Sequence, residues 1–159
     1  MNIGILGSGI VAQTISRSII KAGHRVMIST RNKEKLQEWI DEVGDKGNVG
    51  SFMESANFGE LIILATHGLS TPKILEDIDK TKFLGKTVID LTNPLDFSEG
   101  TPPKLISSPL SSMGEKIQRI IPDAKVVKAF NTISADIMIN PKRKEGTPDL
   151  FLCGNKEIA

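Results

Sequence analysis

A glycine-rich motif near the start of the chain, G-x-G-x-x-A at Gly7-Ser8-Gly9-Ile10-Val11-Ala12, limits the possible folds more than any other feature. The apolar run 2–7 before it predicts a buried strand, and the spacing of isoleucines after it predicts a helix over 10–22. In this setting Gly7 permits a tight turn, Gly9 lets the backbone approach a ligand, and Ala12 allows the helix to pack closely on the strand. The free N–H groups at the helix start are then expected to bind the pyrophosphate of a dinucleotide. The alternative is a glycine turn that joins strand to helix without a ligand.

Apolar strands alternate with amphipathic helices along the rest of the chain, a pattern typical of a parallel sheet covered on both faces. The predicted strands are 2–7, 25–29, 48–52, 61–65, 87–91, 126–130 and 150–153, and the predicted helices are 10–22, 33–43, 54–58, 72–79 and 110–121. The proline-rich stretch 93–109 is predicted to be an irregular loop. The predicted fold class is therefore α/β, a doubly wound and mainly parallel sheet of Rossmann type, in a single domain over 1–159. Residues 155–159 resemble the first turn of a helix, so we expect a domain shortened at its C-terminus.

The second predicted strand ends in a basic rather than an acidic sequence. NAD-binding domains usually place Asp or Glu about 20 residues after the glycine motif, where it binds the ribose 2′-hydroxyl. Here Arg31 stands 31 − 9 = 22 residues after Gly9, and neither of its neighbours is acidic. A guanidinium can bind a 2′-phosphate through paired hydrogen bonds, a threonine hydroxyl can donate to it, and a lysine one turn further on can reach it. We therefore predict that Thr30, Arg31 and Lys35 select NADP over NAD. The alternative is a solvated helix start with ordinary surface charges.

Polar residues follow three further strands, at the edge where ligands of open α/β sheets bind. We expect the nicotinamide half of the cofactor site to be lined by Thr66, His67, Asn93, Pro94, Ala129, Asn131 and Thr132. Structural alternatives exist for these residues. His67 could be a surface histidine, and Asn93-Pro94 could be an ordinary turn. Asn131 and Thr132 could cap the helix that follows them.

Composition argues against several other classes of protein. The net charge is +1 and aromatic residues make up 4%, with no tyrosine, so the chain lacks the basic surface and stacking platform that nucleic acids require. Two histidines and one cysteine are too few for a zinc site, and no catalytic triad is legible. We expect Cys153 to be an inert core residue and His24 to be structural. The longest apolar run, 61–65, is too short to span a membrane, and no signal peptide precedes the first strand, so we expect a cytoplasmic protein.

Three further segments add to the glycine motif and the basic pair: Thr92-Asn93-Pro94-Leu95, Val126-Val127-Lys128-Ala129-Phe130-Asn131-Thr132 and Asp149-Leu150-Phe151-Leu152-Cys153-Gly154. Together, over essentially the whole chain, they resemble the coenzyme F420-dependent NADP oxidoreductase family. The resemblance implies hydride exchange between NADP and a deazaflavin, a reaction that needs no general acid or base from the protein. It also implies that the phosphates contact Ser8, Gly9, Ile10 and Val11. Two departures stand out: 66–68 replaces a loop that often contains proline, and the helices that usually follow the last strand are absent.

Two functions remain open at this level. The first is an NADP-dependent oxidoreductase that passes hydride between NADP(H) and a deazaflavin (coenzyme F420) or a flavin-like acceptor. The second is a non-catalytic NADP-binding or sensing module, or a subunit of a larger assembly. A hydroxyacid dehydrogenase fragment is disfavoured, because that family relies on a separate helical domain with a catalytic lysine. The expected partners are a small-molecule redox acceptor and, through the apolar surface near Phe151, a second copy of the chain.

Overall fold

The computed structural model describes residues 1–106, 111–144 and 146–155. Their strands are β1 (Asn2–Leu6), β2 (Arg25–Ser29), β3 (Gly47–Gly50), β4 (Leu61–Leu64), β5 (Thr87–Asp90), β6 (Leu95–Asp96), β7 (Lys104–Leu105), β8 (Lys125–Lys128) and β9 (Cys153–Gly154). Their α-helices are α1 (Ile10–Lys21), α2 (Gln37–Val43), α3 (Phe52–Phe58), α4 (Thr71–Glu76), α5 (Met113–Ile120) and α6 (Ala135–Ile139). Short 3₁₀ helices span Lys33–Leu36, Gly44–Lys46, Gly68–Ser70 and Lys80–Phe83.

Seven of these strands form one sheet in the order β3-β2-β1-β4-β5-β8-β9. The first six strands in this order, β3, β2, β1, β4, β5 and β8, run parallel. Strand β9 pairs antiparallel with β8 at the edge. The strand order reverses between β1 and β4, and ligands of open α/β sheets bind at the carboxyl ends of the strands beside such a point. This topology confirms the doubly wound Rossmann-type fold that the alternating strands and helices predict.

The sheet is covered on both faces by apolar side chains. One buried cluster joins β4, β5 and β8 to α3, α4 and α5, with Ile62 and Ile117 fully buried in it. The other joins β1 and β2 to α1 and α2, with Ile5 and Trp39 fully buried. Neighbouring residues of a strand face opposite sides, which explains why these strands are apolar almost throughout. The two layers hold the sheet rigidly and leave the loops at its carboxyl edge to form a binding site.

The stretch predicted to be an irregular loop, 93–109, is partly ordered. Its strands β6 and β7 form a small antiparallel sheet in which Leu95 lies opposite Leu105, and 107–109 lie outside the described residues. The helix predicted from residue 110 begins at Met113 instead. It starts there because the Ser112 hydroxyl accepts from the Glu115 N–H while the Glu115 carboxylate accepts from the Ser112 N–H. Leu110 itself lies outside the described residues.

The C-terminal part of the chain departs most from the sequence-based expectations. The strand predicted over 150–153 was wrong, since the described strand is β9 and pairs only through Cys153 and Gly154. Cys153 is exposed, so the expectation of an inert core cysteine was also wrong. The helix expected after Asn131 and Thr132, for which no bounds were predicted, is α6. The helix expected over 155–159 lies outside the described residues from 156 onward.

An apolar stretch precedes the edge strand β9. Leu150, Phe151 and Leu152 are all exposed, Phe151 to 76%. Large apolar side chains in a contiguous exposed patch often mark an interface. Self-association through this surface stays a prediction.

Candidate functional site

The glycine motif forms the turn between β1 and α1. Gly7 has φ +134, a conformation that favours glycine, and a β-carbon built there would lie 2.3 Å from the Ala65 carbonyl oxygen. Gly9 instead has φ −73, and a β-carbon built there meets no described atom within 4 Å. Gly7 is thus required by the turn itself, whereas the open space at Gly9 is available to a ligand.

The N-terminus of α1 is built to receive an anion. Among the described residues no side chain caps it, and its first turn contains no acidic residue. Helices α3 and α5, by contrast, each begin with a serine and glutamate that satisfy the first N–H groups. Ile10, the first residue of α1, is 79% exposed. The first N–H groups of α1, before Gln13, are therefore free to donate to phosphate oxygens, and the helix dipole favours such an anion.

A cleft of about 380 Å³ opens beside this helix start. The residues predicted for the site that line it are Gly7, Ser8, Gly9, Thr30, Arg31, Lys35, Thr66 and His67. The carboxyl ends of β1, β2 and β4 converge here because the three strands are neighbours in the sheet. The structure thus brings the glycine turn and the basic end of β2 into one cavity.

The basic side of the cleft carries two cations without acidic partners. Arg31 and Lys35 are exposed, and in the described ranges neither has a carboxylate within 4 Å. Lys35 belongs to a 3₁₀ helix whose N-cap is Asn32. The Thr30 hydroxyl donates to the Asn32 carbonyl and accepts from the Asn32 N–H, both at 3.1 Å. This hydroxyl must therefore rotate before it can donate to a phosphate, whereas both cations are available.

The loops after β4 and β5 lie directly against each other. A β-carbon built on Gly68 would lie 2.1 Å from the Asn93 carbonyl oxygen, so the two backbones are in close contact. The Asn93 side chain donates to the Asn131 carbonyl at 2.7 Å, which joins the loop after β5 to the loop after β8. The loops after β4, β5 and β8 therefore form one connected wall.

A second cleft, of about 420 Å³, is lined in part by residues of this wall. Asn93, Pro94 and Asn131 line it together with the start of α5. Ala129 is buried instead, and Thr132 is exposed outside the described walls of both clefts. Ser134 holds the N-cap position of the helix that follows, although its side chain makes no capping hydrogen bond, so neither Asn131 nor Thr132 serves as that cap.

A buried ion pair supports the wall, and sequence reasoning missed it. Asp90 is fully buried, and its carboxylate accepts from the Thr92 N–H at 2.8 Å and from the Lys128 ammonium at 3.0 Å. The Lys128 ammonium also donates to the Thr92 carbonyl. An aspartate at the end of an apolar strand, two residues before Thr92, was the signal that could have revealed it. Nearby, Phe130 has φ +60, which ends β8 earlier than predicted and redirects the chain toward Asn131.

Two carboxyl groups near the clefts are ionised at neutral pH. The Ser112 N–H donates to Glu115 and holds the pKa of that carboxyl below its ordinary value. The Ser98 N–H lowers the pKa of Asp96 in the same way, and attraction to His67 lowers it further. Neither carboxyl is therefore a general acid at neutral pH.

The part of the chain that the structure describes lacks two further features. Within it, no three His, Cys, Asp or Glu side chains are grouped as metal ligands require. Nor does it contain a helix with the length and apolarity needed to cross a membrane.

The fold and the first cleft define a dinucleotide-binding protein of the Rossmann class. Comparison with known proteins narrows this class. The family model described as NADP oxidoreductase, coenzyme F420-dependent, matches residues 2–94. The chain belongs to this family of NADP-dependent oxidoreductases.

Three relatives match nearly all of this chain, and the chain spans from 29% to 75% of their length. A candidate F420-dependent NADP-reductase from Arthrobacter sp. FB24 superimposes with a TM-score of 0.91 at 37% identity, over 99% of this chain and 75% of that one. The F420-dependent NADP reductase of Methanocaldococcus jannaschii is 27% identical over 173 residues, 100% of this chain and 75% of the reductase. Metalloreductase STEAP2 of Mus musculus is 26% identical over 156 residues, which are 98% of this chain but 29% of STEAP2.

Proposed function

We propose that the chain binds NADP(H) in the first cleft and serves as an NADP-dependent oxidoreductase. The observation that carries this proposal is the unpaired cation pair Arg31 and Lys35, which stands where NAD-binding domains place a carboxylate. The uncapped start of α1 lies in the same cleft and suits the pyrophosphate. These residues fit the cofactor chemically, because both of its anionic parts meet free donors or cations.

The chemistry proposed is hydride transfer to a deazaflavin such as coenzyme F420, or to a flavin-like ring. When bound, NADPH would supply a hydride from its nicotinamide C4 to C5 of a deazaflavin. The chain's own role is to hold the two rings together and exclude water, which requires no acid or base. The second cleft supports this role, because the Asn93 loop that lines it packs against the loop after β4, whose Thr66 and His67 line the first cleft. It also has the volume of a small-molecule site.

A non-catalytic role as an NADP-binding module is the second candidate. One observation favours it: the chain corresponds to only 29% of the metalloreductase STEAP2 that it matches over nearly its whole length. Such a module would bind NADP(H) and leave the redox chemistry to other parts of a longer protein.

We expect NADPH to bind at least about tenfold more tightly than NADH, because one charge-assisted contact contributes roughly 1.5–3 kcal/mol. Titration calorimetry with each cofactor measures the two affinities. The variant Arg31→Ala is the control and should bind both cofactors with nearly equal affinity. Equal affinities in the unmodified chain would contradict NADP selection.

Among acceptors, we expect coenzyme F420 to be reduced by NADPH faster than FMN, FAD or ferric citrate. The reaction is followed in the unmodified chain, with each acceptor in turn, as the steady-state loss of NADPH absorbance at 340 nm. Faster reduction of a flavin or of iron would reassign the acceptor. Tight NADPH binding without oxidation by any of the four would favour the non-catalytic module.

A further inference from the structure

The last residue of β2, Ser29, is a fully buried polar side chain on the wall of the first cleft. Its hydroxyl accepts from the Gly7 N–H at 3.0 Å and donates to the Ile5 carbonyl at 3.1 Å. A single side chain on β2 thus contacts the end of β1 and the first glycine of the phosphate turn. A further β-bridge joins the backbones of Gly7 and Ser29.

The hydroxyl lies between the two parts of the proposed cofactor site. On one side it holds Gly7, three residues before Ile10, the first residue of the uncapped helix α1. On the other side the chain continues from Ser29 directly into Thr30 and Arg31. The opposite flank of Gly7 is packed against the Ala65 carbonyl. The backbone pairing of β1 with β2 sets the spacing between the phosphate turn and the cation pair, and this hydroxyl adds two hydrogen bonds at the end where the turn begins.

We propose that Ser29 is a positioning residue that determines cofactor specificity. Its hydroxyl helps to keep the phosphate turn and the cation pair at the separation that lets one ligand engage both. NADPH carries anionic groups at both places, whereas NADH carries them only at the pyrophosphate. Loosening this link therefore weakens the binding of NADPH more than the binding of NADH. The inference rests on the proposed function, because it assumes that NADPH occupies this cleft.

The test compares Ser29→Ala with the unmodified chain by titration calorimetry, using NADPH, NADH and 2′-AMP. We expect the NADPH affinity to fall about tenfold or more, the NADH affinity to fall less than about threefold, and the weak 2′-AMP affinity to stay within about twofold. The ratio of NADPH to NADH affinity therefore falls. Loss of stability alone would not change this ratio in the folded protein.

A matched control is available in α1. Ser16 is also fully buried, and its hydroxyl accepts from the Trp39 indole N–H at 2.8 Å and donates to the Gln13 carbonyl at 2.7 Å. The variant Ser16→Ala loses the same number of buried hydrogen bonds but should keep the cofactor ratio of the unmodified chain. If Ser29→Ala does not fold, Ser29→Cys replaces it, because a thiol of similar size is a poor donor and acceptor.

Each result decides one question. A lower NADPH-to-NADH ratio in the Ser29 variant, with an unchanged ratio in Ser16→Ala, supports the positioning role. An unchanged ratio in the folded Ser29 variant overturns it while leaving the proposed function standing. Equal affinities for NADPH and NADH in the unmodified chain overturn the proposed function itself.

Discussion

Replacing Gly9 by valine is expected to lower the affinity for NADPH by at least about 100-fold while the protein remains folded. Gly9 adopts φ −73, which valine can also adopt, and no described atom would meet its β-carbon within 4 Å. The added branched side chain instead occupies the space that the pyrophosphate needs at the start of α1. A loss of this size corresponds to about 2.7 kcal/mol of binding free energy. Titration calorimetry measures the affinity, and circular dichroism checks the fold.

The same turn supplies a contrasting variant. Gly7→Ala should damage the fold itself, because alanine is strained at φ +134 and its β-carbon would lie 2.3 Å from the Ala65 carbonyl oxygen. Two glycines two residues apart thus have opposite roles, one in the ligand site and one in the backbone. Unchanged NADPH affinity in folded Gly9→Val would show that the motif is a plain structural turn.

Removing the ammonium of Lys128 should produce a large loss of stability. The Lys128→Met variant leaves the carboxylate of Asp90 buried without its cation, and breaking a buried pair in this way costs about 3–5 kcal/mol. The Lys128 side chain is 17% exposed and that of Asp90 is 0% exposed, so water cannot easily replace the lost partner. Urea unfolding followed by circular dichroism measures the free energy of unfolding.

An exposed ion pair of the same residue types provides the control. Lys73 and Asp77 lie one turn apart at α4, with side chains 74% and 61% exposed. Lys73→Met should change the free energy of unfolding far less than Lys128→Met does, because solvent screens such exposed pairs. Equal losses in the two variants would mean that the pair between β5 and β8 contributes no more than a surface contact.

Much of the fold could be predicted from the sequence because the relevant signals are local. The limits of β2 match the predicted strand 25–29 at both ends, and the strand, turn and helix around the glycine motif follow from neighbouring residues. Strand β9 could not be predicted, since its two residues are ordered by pairing with β8 from another part of the chain. The hairpin of β6 and β7 was missed for a related reason, because proline in that stretch argued for an irregular loop.

The residues of the candidate site likewise fall into those that the sequence predicted and those that it did not. Arg31 and Lys35 were predicted from their distance to the glycine motif, and they do line the first cleft. Ser29, Asp90 and Lys128 were not predicted as site residues. Their importance arises from hydrogen bonds to residues 22 and 38 positions away, which no short motif records.

The close contact between Gly68 and Asn93 has a consequence for how this site could be redesigned. No β-carbon fits at position 68 without moving the backbone after β5. A library that randomises position 68 would therefore yield mostly inactive clones, whatever ring it was meant to accommodate. Diversity is better placed at His67, Pro94 and Leu105, whose side chains line the two clefts and leave the shared backbone unchanged.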